Sequence, residues 1–282
     1  MGQFFDPGEV GADGSKWQAG AMSSQPRWEI VEEVGSTSSE LMARASADPD
    51  AWPDLSVLLA TRQLAGRGRA GRTWTTDSHP ALTFSVLLRP SLPAERWGWV
   101  PLLAGVAVVQ ALHELQPDGA APPHEVACGL KWPNDVVHYG GPEVLAEWGC
   151  LRKVAGVLSE VTPDRSGVVV GIGANLVTGG LPVPWAGAAE ELGVRASAPD
   201  LARTIHHHLA ALIESWQAGA DPAAVVAPVC LTLGTHVRVT LPGGGIHDGE
   251  ATGLAADGAL RVRTPEGERV VHAGDVEHVR PA

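Results

Sequence analysis

The sequence predicts an α+β fold, in which a mixed β-sheet with helices is followed by a small C-terminal β-barrel. Three observations carry that prediction. Apolar, strand-length runs separated by turn residues recur between residues 55 and 173. Two longer segments, Arg96–Leu115 and Pro199–Trp216, place apolar residues three and four apart, the spacing of buried helices. After Pro228 the texture changes to short alternating strands broken by glycine-rich hairpin signals. A chain of 282 residues holds one large domain and one small one. The boundaries fall as a loosely ordered tail over 1–27, a main domain over 28–230 and the barrel over 231–282.

Taken in order, residues 1–26 are rich in Gly, Ser, Gln and Asp and lack a packed pattern, which begins at Trp28. Ser36-Thr37-Ser38-Ser39-Glu40 sets hydroxyl caps and an acidic first turn ahead of Leu41, which predicts a helix start. Strands are expected at 55–61 and 81–88, then the long helix with Trp99, Leu102, Leu103, Val106, Val109 and Leu112 on its buried side. Short strands follow at 129–132, 136–139, 154–161 and 168–173, and Gly140 to Gly149 reads as an extended hairpin loop or insertion. The second helix buries Leu201, Ile205, Leu209, Leu212 and Ile213. Its His206-His207-His208 run is no metal site, because consecutive helical residues point about 100° apart. Pro242-Gly243-Gly244-Gly245, Asp257-Gly258 and Glu266-Gly267 then mark hairpins between the barrel strands.

Composition excludes several classes of function. The net charge of −12 argues for solubility rather than a nucleic-acid partner. No apolar run reaches the roughly 18 residues of a membrane span, and the opening Met1–Asp6 lacks signal-peptide order. Cys128, Cys150 and Cys230 are odd in number and widely spaced, which predicts reduced thiols in a cytoplasmic protein, without a disulfide framework or a protein-held metal.

Against that acidity, residues 62–74 carry Arg62, Arg67, Arg69 and Arg72 with Gly66, Gly68 and Gly71 and no acidic residue. Local positive charge with glycines that admit close backbone approach predicts a grip on a phosphate, and Trp74 offers a face for a ring. Gly66, Gly68 and Gly71 fit G-x-G-x-x-G, but the β-prone and turn-rich Thr73–Pro80 offers no helix N-terminus to a pyrophosphate. Three further segments carry chemistry. Lys131-Trp132-Pro133-Asn134-Asp135 ends one strand with a cation, an aromatic, an amide and a carboxylate; alone it reads rather as a polar β-turn with a buried Trp. Lys153-Val154-Ala155-Gly156 heads an apolar strand with a lysine, and Gly171-Ile172-Gly173-Ala174-Asn175 ends another with glycines and an amide.

Together these segments resemble the catalytic domain of biotin protein ligases, which attach biotin to carrier domains. The arginine–glycine loop Gln63–Trp74, Lys131–Val136, Lys153–Glu160 and Gly171–Leu176 match that family's motifs in order, and Gly35-Ser36-Thr37-Ser38 matches a further one except at Ser38, where asparagine is usual. The resemblance covers about residues 28–282. It implies a class II synthetase-like mixed sheet, an SH3-like C-terminal barrel, and a ligase without the repressor's N-terminal DNA-binding domain. The segment from Tyr139 to Arg152 departs from the family's tight connection and carries no assigned role.

The activity so implied is ATP-dependent: biotin becomes biotinyl-5′-AMP, and a carrier lysine then displaces AMP. By the resemblance Lys153 holds the biotin carboxylate and contacts the phosphate, with Gly156 beside it. Arg67 and Arg69, with the Gly66–Gly68 backbone, close over the intermediate. Ser36, Thr37 and Gln63 match the groups that bind the ureido ring. Trp74 looks like the adenine-stacking residue and Arg72 joins the nucleotide side. Asn134 and Asn175 resemble adenylate-contacting amides, while Lys131 and Asp135 serve phosphate or Mg²⁺ and the incoming lysine, Asp135 as its base. The implied partners are biotin, ATP with Mg²⁺, and a biotin carboxyl carrier domain of an acyl-CoA carboxylase. Sheet-edge homodimers occur in that family, and nothing in the sequence selects dimer over monomer. Three alternatives stand beside this reading: a lipoate or octanoate ligase or transferase of the same architecture, a nucleic-acid-binding module, and a catalytically silent biotin sensor.

Overall fold

The computed structural model describes residues 25–76, 79–117, 128–140, 143–146, 148–272 and 274–278. The expected tail therefore lies outside the described residues except for 25–27, as do 141, 142 and 147 of the expected insertion.

Seven strands form the main sheet: β1 (Trp28–Val34), β2 (Val57–Gln63), β5 (Ala81–Leu88), β6 (Cys128–Lys131), β7 (Asp135–Tyr139), β8 (Leu151–Val161) and β9 (Val168–Asn175). Their order is β1-β2-β5-β9-β8-β7-β6. Only β1 and β2 pair in parallel among these; every other neighbour is antiparallel, so the sheet is mixed as expected. Between β2 and β5 the arginine–glycine loop folds on itself as a two-residue ladder of β3 (Gly66–Arg67) and β4 (Thr73–Trp74).

Strand alternation assigns the helices to faces. On β5, Leu82, Phe84, Val86 and Leu88 join one core with α2 (Val100–Glu114) and α3 (Ala198–Gln217). Leu87, with Leu58 and Val169, instead packs under Leu41 and Ala45 of α1 (Thr37–Ala47). Ser36 caps α1 by accepting from the Ser39 N–H, and Glu40 pairs with Arg44 one turn on.

The helix expected over Arg96–Leu115 is divided. Ala94–Trp99 forms a 3₁₀ turn and α2 begins at Val100. The Trp97 indole donates locally to the Leu92 carbonyl at 2.9 Å, the Trp99 indole anchors the turn to the C-terminal sheet by donating to the Ala256 carbonyl at 2.8 Å, and Pro101 suits a helix start. The first expected strand also begins later, at Val57, because Leu55 takes a left-handed turn with φ 63°. On α3 the half-buried His206 reaches the Leu55 carbonyl, while His208 reaches Glu114 and lies edge-on to His207 at 5.6 Å.

Five strands follow: β10 (His236–Thr240), β11 (Ile246–Leu254), β12 (Leu260–Thr264), β13 (Gly267–Val271) and β14 (Asp275–His278). They form an antiparallel sheet in the order β13-β12-β11-β10-β14. Among the described residues β13 and β14 are its edges, so the small C-terminal β domain expected from the sequence is present as a five-stranded sheet whose ladder does not close. Val237, Val239, Leu260 and Val262 run into the same core as α2, and Trp132 donates from its indole to the Gly258 carbonyl at 3.1 Å. The three cysteines are unbridged, and burial pushes the Cys128 thiol up to about 12, where it is inert. Among the described residues no helix is long and apolar enough to cross a membrane.

Candidate active site

The same alternation that seats α1 also opens the cavity beside it. Leu87 and Val169 fill the space under α1, but farther along that face β5 turns to Ser85 and Thr83, and β9 to Gly171, Gly173 and Asn175. Small and polar side chains replace large apolar ones, and the missing volume is a cavity of about 870 Å³. Its lining comes from successive strands: Gln63 of β2, Thr83 of β5, Gly173 of β9, Lys153 and Gly156 of β8, Asp135 of β7 and Lys131 of β6. Adjacent strands lie about 4.8 Å apart, so five steps span roughly 24 Å.

One end is built of hydroxyls and an amide. The Thr37 N–H and Oγ1 both donate to Gln63 Oε1, at 2.9 and 3.2 Å. Ser85 Oγ donates to Thr37 Oγ1 at 2.8 Å, which leaves Ser38 Oγ to donate to Ser85 Oγ at 3.0 Å. Each hydroxyl has one proton, so the chain Ser38–Ser85–Thr37–Gln63 has a fixed direction. Ser38, standing where asparagine is usual, thus retains a hydrogen-bonding position. The chain turns the Gln63 oxygen toward α1 and its NH₂ toward Gly66, where an added Cβ would strike both that NH₂ and the Trp74 carbonyl. Gly66 is not among the lining residues; its bare backbone is what lets the loop's ladder lie against Gln63.

The middle holds the reactive-looking pair. Lys153 Nζ stands 2.6 Å from Asp135 Oδ1, with the two side chains 17% and 14% exposed. The Trp74 ring centroid is 5.7 Å from the same ammonium. That ring rests on glycine, since a Cβ at Gly173 would come within 2.5 Å of its Cε2. Its buried Nε1 has no hydrogen-bond partner among the described residues.

Over this middle stands the arginine loop. Ala70 and Gly71 turn its tip in the left-handed region, at φ 52° and 74°, and Gly68 N–H donates to the Arg72 carbonyl at 2.7 Å. Arg67 pairs with Glu160 at 2.6 Å, Arg69 donates to Asn134 Oδ1 at 3.4 Å, and Arg72 pairs with Asp275 of β14. Burial pulls the Arg69 guanidinium below its usual value, with Asp135 opposing the shift. A paired ladder stands where a dinucleotide fingerprint would open a helix, so that motif match is spurious.

The far end belongs to β6 and its neighbours. Lys131 is only 7% exposed, and burial pulls its ammonium below the usual lysine value. Asn134 bridges to β8 through its own carbonyl and amide, both bonded to Val157. Asn175 donates to the Gly187 and Lys153 carbonyls, so the oxygen of its amide accepts from His79 Nε2 at 2.9 Å. Both asparagines line the cavity while bracing the strands around Lys153. The segment Trp185–Gly187 adds to the edge of β8: Lys153 N–H donates to the Trp185 carbonyl and Gly187 N–H to the Lys153 carbonyl, each at 2.8 Å. Trp148 and Trp185 stack at 4.6 Å, and both line the cavity.

The structure therefore brings Ser36, Thr37, Gln63, Arg67, Gly68, Arg69, Arg72, Trp74, Lys131, Asn134, Asp135, Lys153, Gly156 and Asn175 onto one cavity. Sequence reasoning missed Ser85, Trp148, Trp185 and Asp275. Only Trp185, as a tryptophan directly after Pro184, carried a local signal; the others meet the site through topology.

A hydroxyl–amide pocket joined through Lys153 to clustered cations suits an enzyme that brings a carboxylate and a nucleotide phosphate together. The chain belongs to the biotin/lipoate A/B protein ligase family, whose model matches residues 36–176, and residues 232–279 match the biotin protein ligase C-terminal domain. The biotin–[acetyl-CoA-carboxylase] ligase of Mycobacterium tuberculosis is 39% identical over 93% of this chain and 92% of its own. Among solved structures, the Aquifex aeolicus biotin protein ligase in complex with biotin and ATP is similar with a TM-score of 0.69 and 25% identity, over 90% of this chain and 99% of that one. The Leishmania major biotin protein ligase in complex with biotinyl-5-AMP gives 0.59 and 28%, over 91% and 99%.

Proposed function

We infer that this chain is an ATP-dependent biotin ligase that forms biotinyl-5′-AMP and transfers the biotinyl group to a lysine of a carrier domain. The observation that supports it above others is the Lys153–Asp135 pair between a neutral polar pocket and buried cations. Biotin's ureido ring presents N–H donors and a carbonyl acceptor, which suit the end made by Ser36, Thr37 and Gln63. Its carboxylate then reaches Lys153, whose ammonium lies over Gly156, where an added Cβ would crowd it at 2.9 Å.

In the first step a carboxylate oxygen attacks the α-phosphorus and pyrophosphate leaves. Two anions must meet, and preorganised cations in a water-poor cavity lower that repulsion most effectively. Lys153, Arg69 and Lys131 are placed for this task. Arg72 is held by the exposed Asp275 and Arg67 by the half-buried Glu160, and ion pairs so open to solvent contribute only about 0.2–1 kcal/mol. Exchange of Glu160 and Asp275 for phosphate oxygens is therefore easy, and it would draw the loop over the adenylate and keep water from the anhydride. Asn134 and Asn175 contact the adenylate from the braced walls. In the second step the carrier lysine's amine attacks the acyl carbon, AMP leaves, and Asp135 takes the amine proton.

Mg²⁺ belongs with the nucleotide. It would be bound mainly through phosphates and water, with the cavity carboxylates Asp135 and Asp275 nearby. Such an ion would neutralise triphosphate charge. The carrier is a biotin carboxyl carrier domain of an acyl-CoA carboxylase, and the cytoplasm is the compartment that holds it. The domain limits proposed from the sequence, 28–230 and 231–282, stand with this reading, as does a homodimer formed through a sheet edge.

Incubation with ATP, Mg²⁺, biotin and an apo carrier domain is expected to add one biotinyl mass to the carrier. Equal use of lipoate in that assay would replace this reading with the lipoate alternative. Trp74→Ala is expected to raise the KM for ATP about tenfold while leaving that for biotin within about threefold. Equal losses would remove adenine stacking from its role.

A further inference from the structure

We propose that Trp148, carried by the connection between β7 and β8, is a positioning residue for the nucleotide: it aims the Lys131 ammonium into the cavity and docks Trp185 beside Lys153. The proposal rests on Lys131 as a phosphate-facing cation and goes beyond that reading to a residue outside every motif.

Three observations converge. Lys131 Nζ lies 4.2 Å from the Trp148 ring centroid, and no hydrogen bond or ion pair of that ammonium is found among the described residues. A side chain 7% exposed with an unpaired charge is costly, and the face of an indole offsets part of that cost without consuming an N–H. All three protons of the ammonium thus stay available to phosphate oxygens. A carboxylate in the position of Trp148 would compete with the nucleotide; an aliphatic residue would leave the cation without a partner.

The second contact is the stack. Trp148 and Trp185 are nearly parallel, with 3° between the stacked rings. Trp185 is tied through its carbonyl to the Lys153 N–H. One indole therefore touches the cation at the β6 end and a segment that shares a hydrogen bond with Lys153. Trp148 is itself fixed from behind by Val137 and Leu151, and its turn is closed by the Leu145–Gly149 bridge. The rim it builds is absent from a tight β7–β8 connection.

Sheet order makes the effect specific. Gln63 lies on β2 and Lys131 on β6, roughly 24 Å apart across five strand steps. Loss of Trp148 should therefore disturb ATP and spare the ureido end. The test compares Trp148→Phe, which keeps a ring, with Trp148→Leu, which keeps apolar volume alone, in biotin-dependent ATP–pyrophosphate exchange. Trp148→Leu is expected to raise the KM for ATP about tenfold, Trp148→Phe about threefold or less, and both to leave the KM for biotin within about twofold. In a Lys131→Met background the Trp148→Leu effect should largely disappear, since the residue acts through that ammonium. The proposal is overturned if leucine serves as well as phenylalanine, if the ATP and biotin constants move together, or if the two substitutions add fully. A wild-type chain without exchange activity would instead overturn the ligase reading itself.

Discussion

Lys153→Ala is expected to lower biotin-dependent ATP–pyrophosphate exchange by at least ~10³-fold while leaving the protein folded. The reasoning starts from the strand. Lys153 contributes to the fold through its backbone N–H and carbonyl, which hold Trp185 and Gly187, and alanine keeps both. Its ammonium does something the backbone cannot. It stands 2.6 Å from Asp135, near the face of Trp74, and between the hydroxyl–amide pocket and Lys131. On the proposed reading that is where a carboxylate oxygen and an α-phosphorus approach, with Lys153 the cation between them. Circular dichroism and the thermal midpoint report the fold, and exchange reports the chemistry. Near-normal exchange in a folded variant would remove Lys153 from the mechanism. An unfolded variant would show instead that Asp135 needs its partner for stability, and Lys153→Met would then separate the two effects.

Much of this was legible in the sequence because local patterns carry it. The run Ala81–Leu88 is a strand whose limits coincide with those expected, since Leu82, Phe84, Val86 and Leu88 alternate onto one apolar face and the other face carries only small residues and Leu87. Ser36 and Glu40 announce α1, and the glycines of β9 announce a surface that something must approach. Other features depend on contacts that no local pattern encodes. β1 alternates exposed and half-buried residues without a strong apolar face, so it was read only as the start of packed chain; its partner β2 defines it as a strand. β14 is four residues long, and its place beside β10 puts Asp275 at the cavity, more than 200 positions from Arg72. Ser85 gains meaning only when α1 lays Thr37 and Ser38 across it. The divided helix over residues 94–114 was hidden for the same reason, because Trp99, at its break, bonds to Ala256, a partner 157 positions away.

The two half-reactions should separate at Asp135. Asp135→Asn keeps shape and hydrogen-bonding capacity but removes the carboxylate, the group proposed to take the proton as the carrier amine attacks. Loss of a positioned base typically costs 10²–10⁴-fold, so transfer from preformed biotinyl-5′-AMP to the carrier is expected to fall about 10²–10³-fold. Adenylate formation involves no such proton. It should fall by about tenfold or less, through looser orientation of Lys153, whose ammonium is now 2.6 Å from Asp135 Oδ1. Single-turnover measurement of each half-reaction distinguishes the cases. Transfer should recover as pH rises and more of the attacking amine is already neutral, because a base is needed least when its work is done by solvent. Equal losses in both half-reactions, without recovery at high pH, would show that Asp135 acts only by holding Lys153. In that case the ion pair at the centre of the cavity would be one functional unit serving the first step, with the carrier's lysine deprotonated elsewhere.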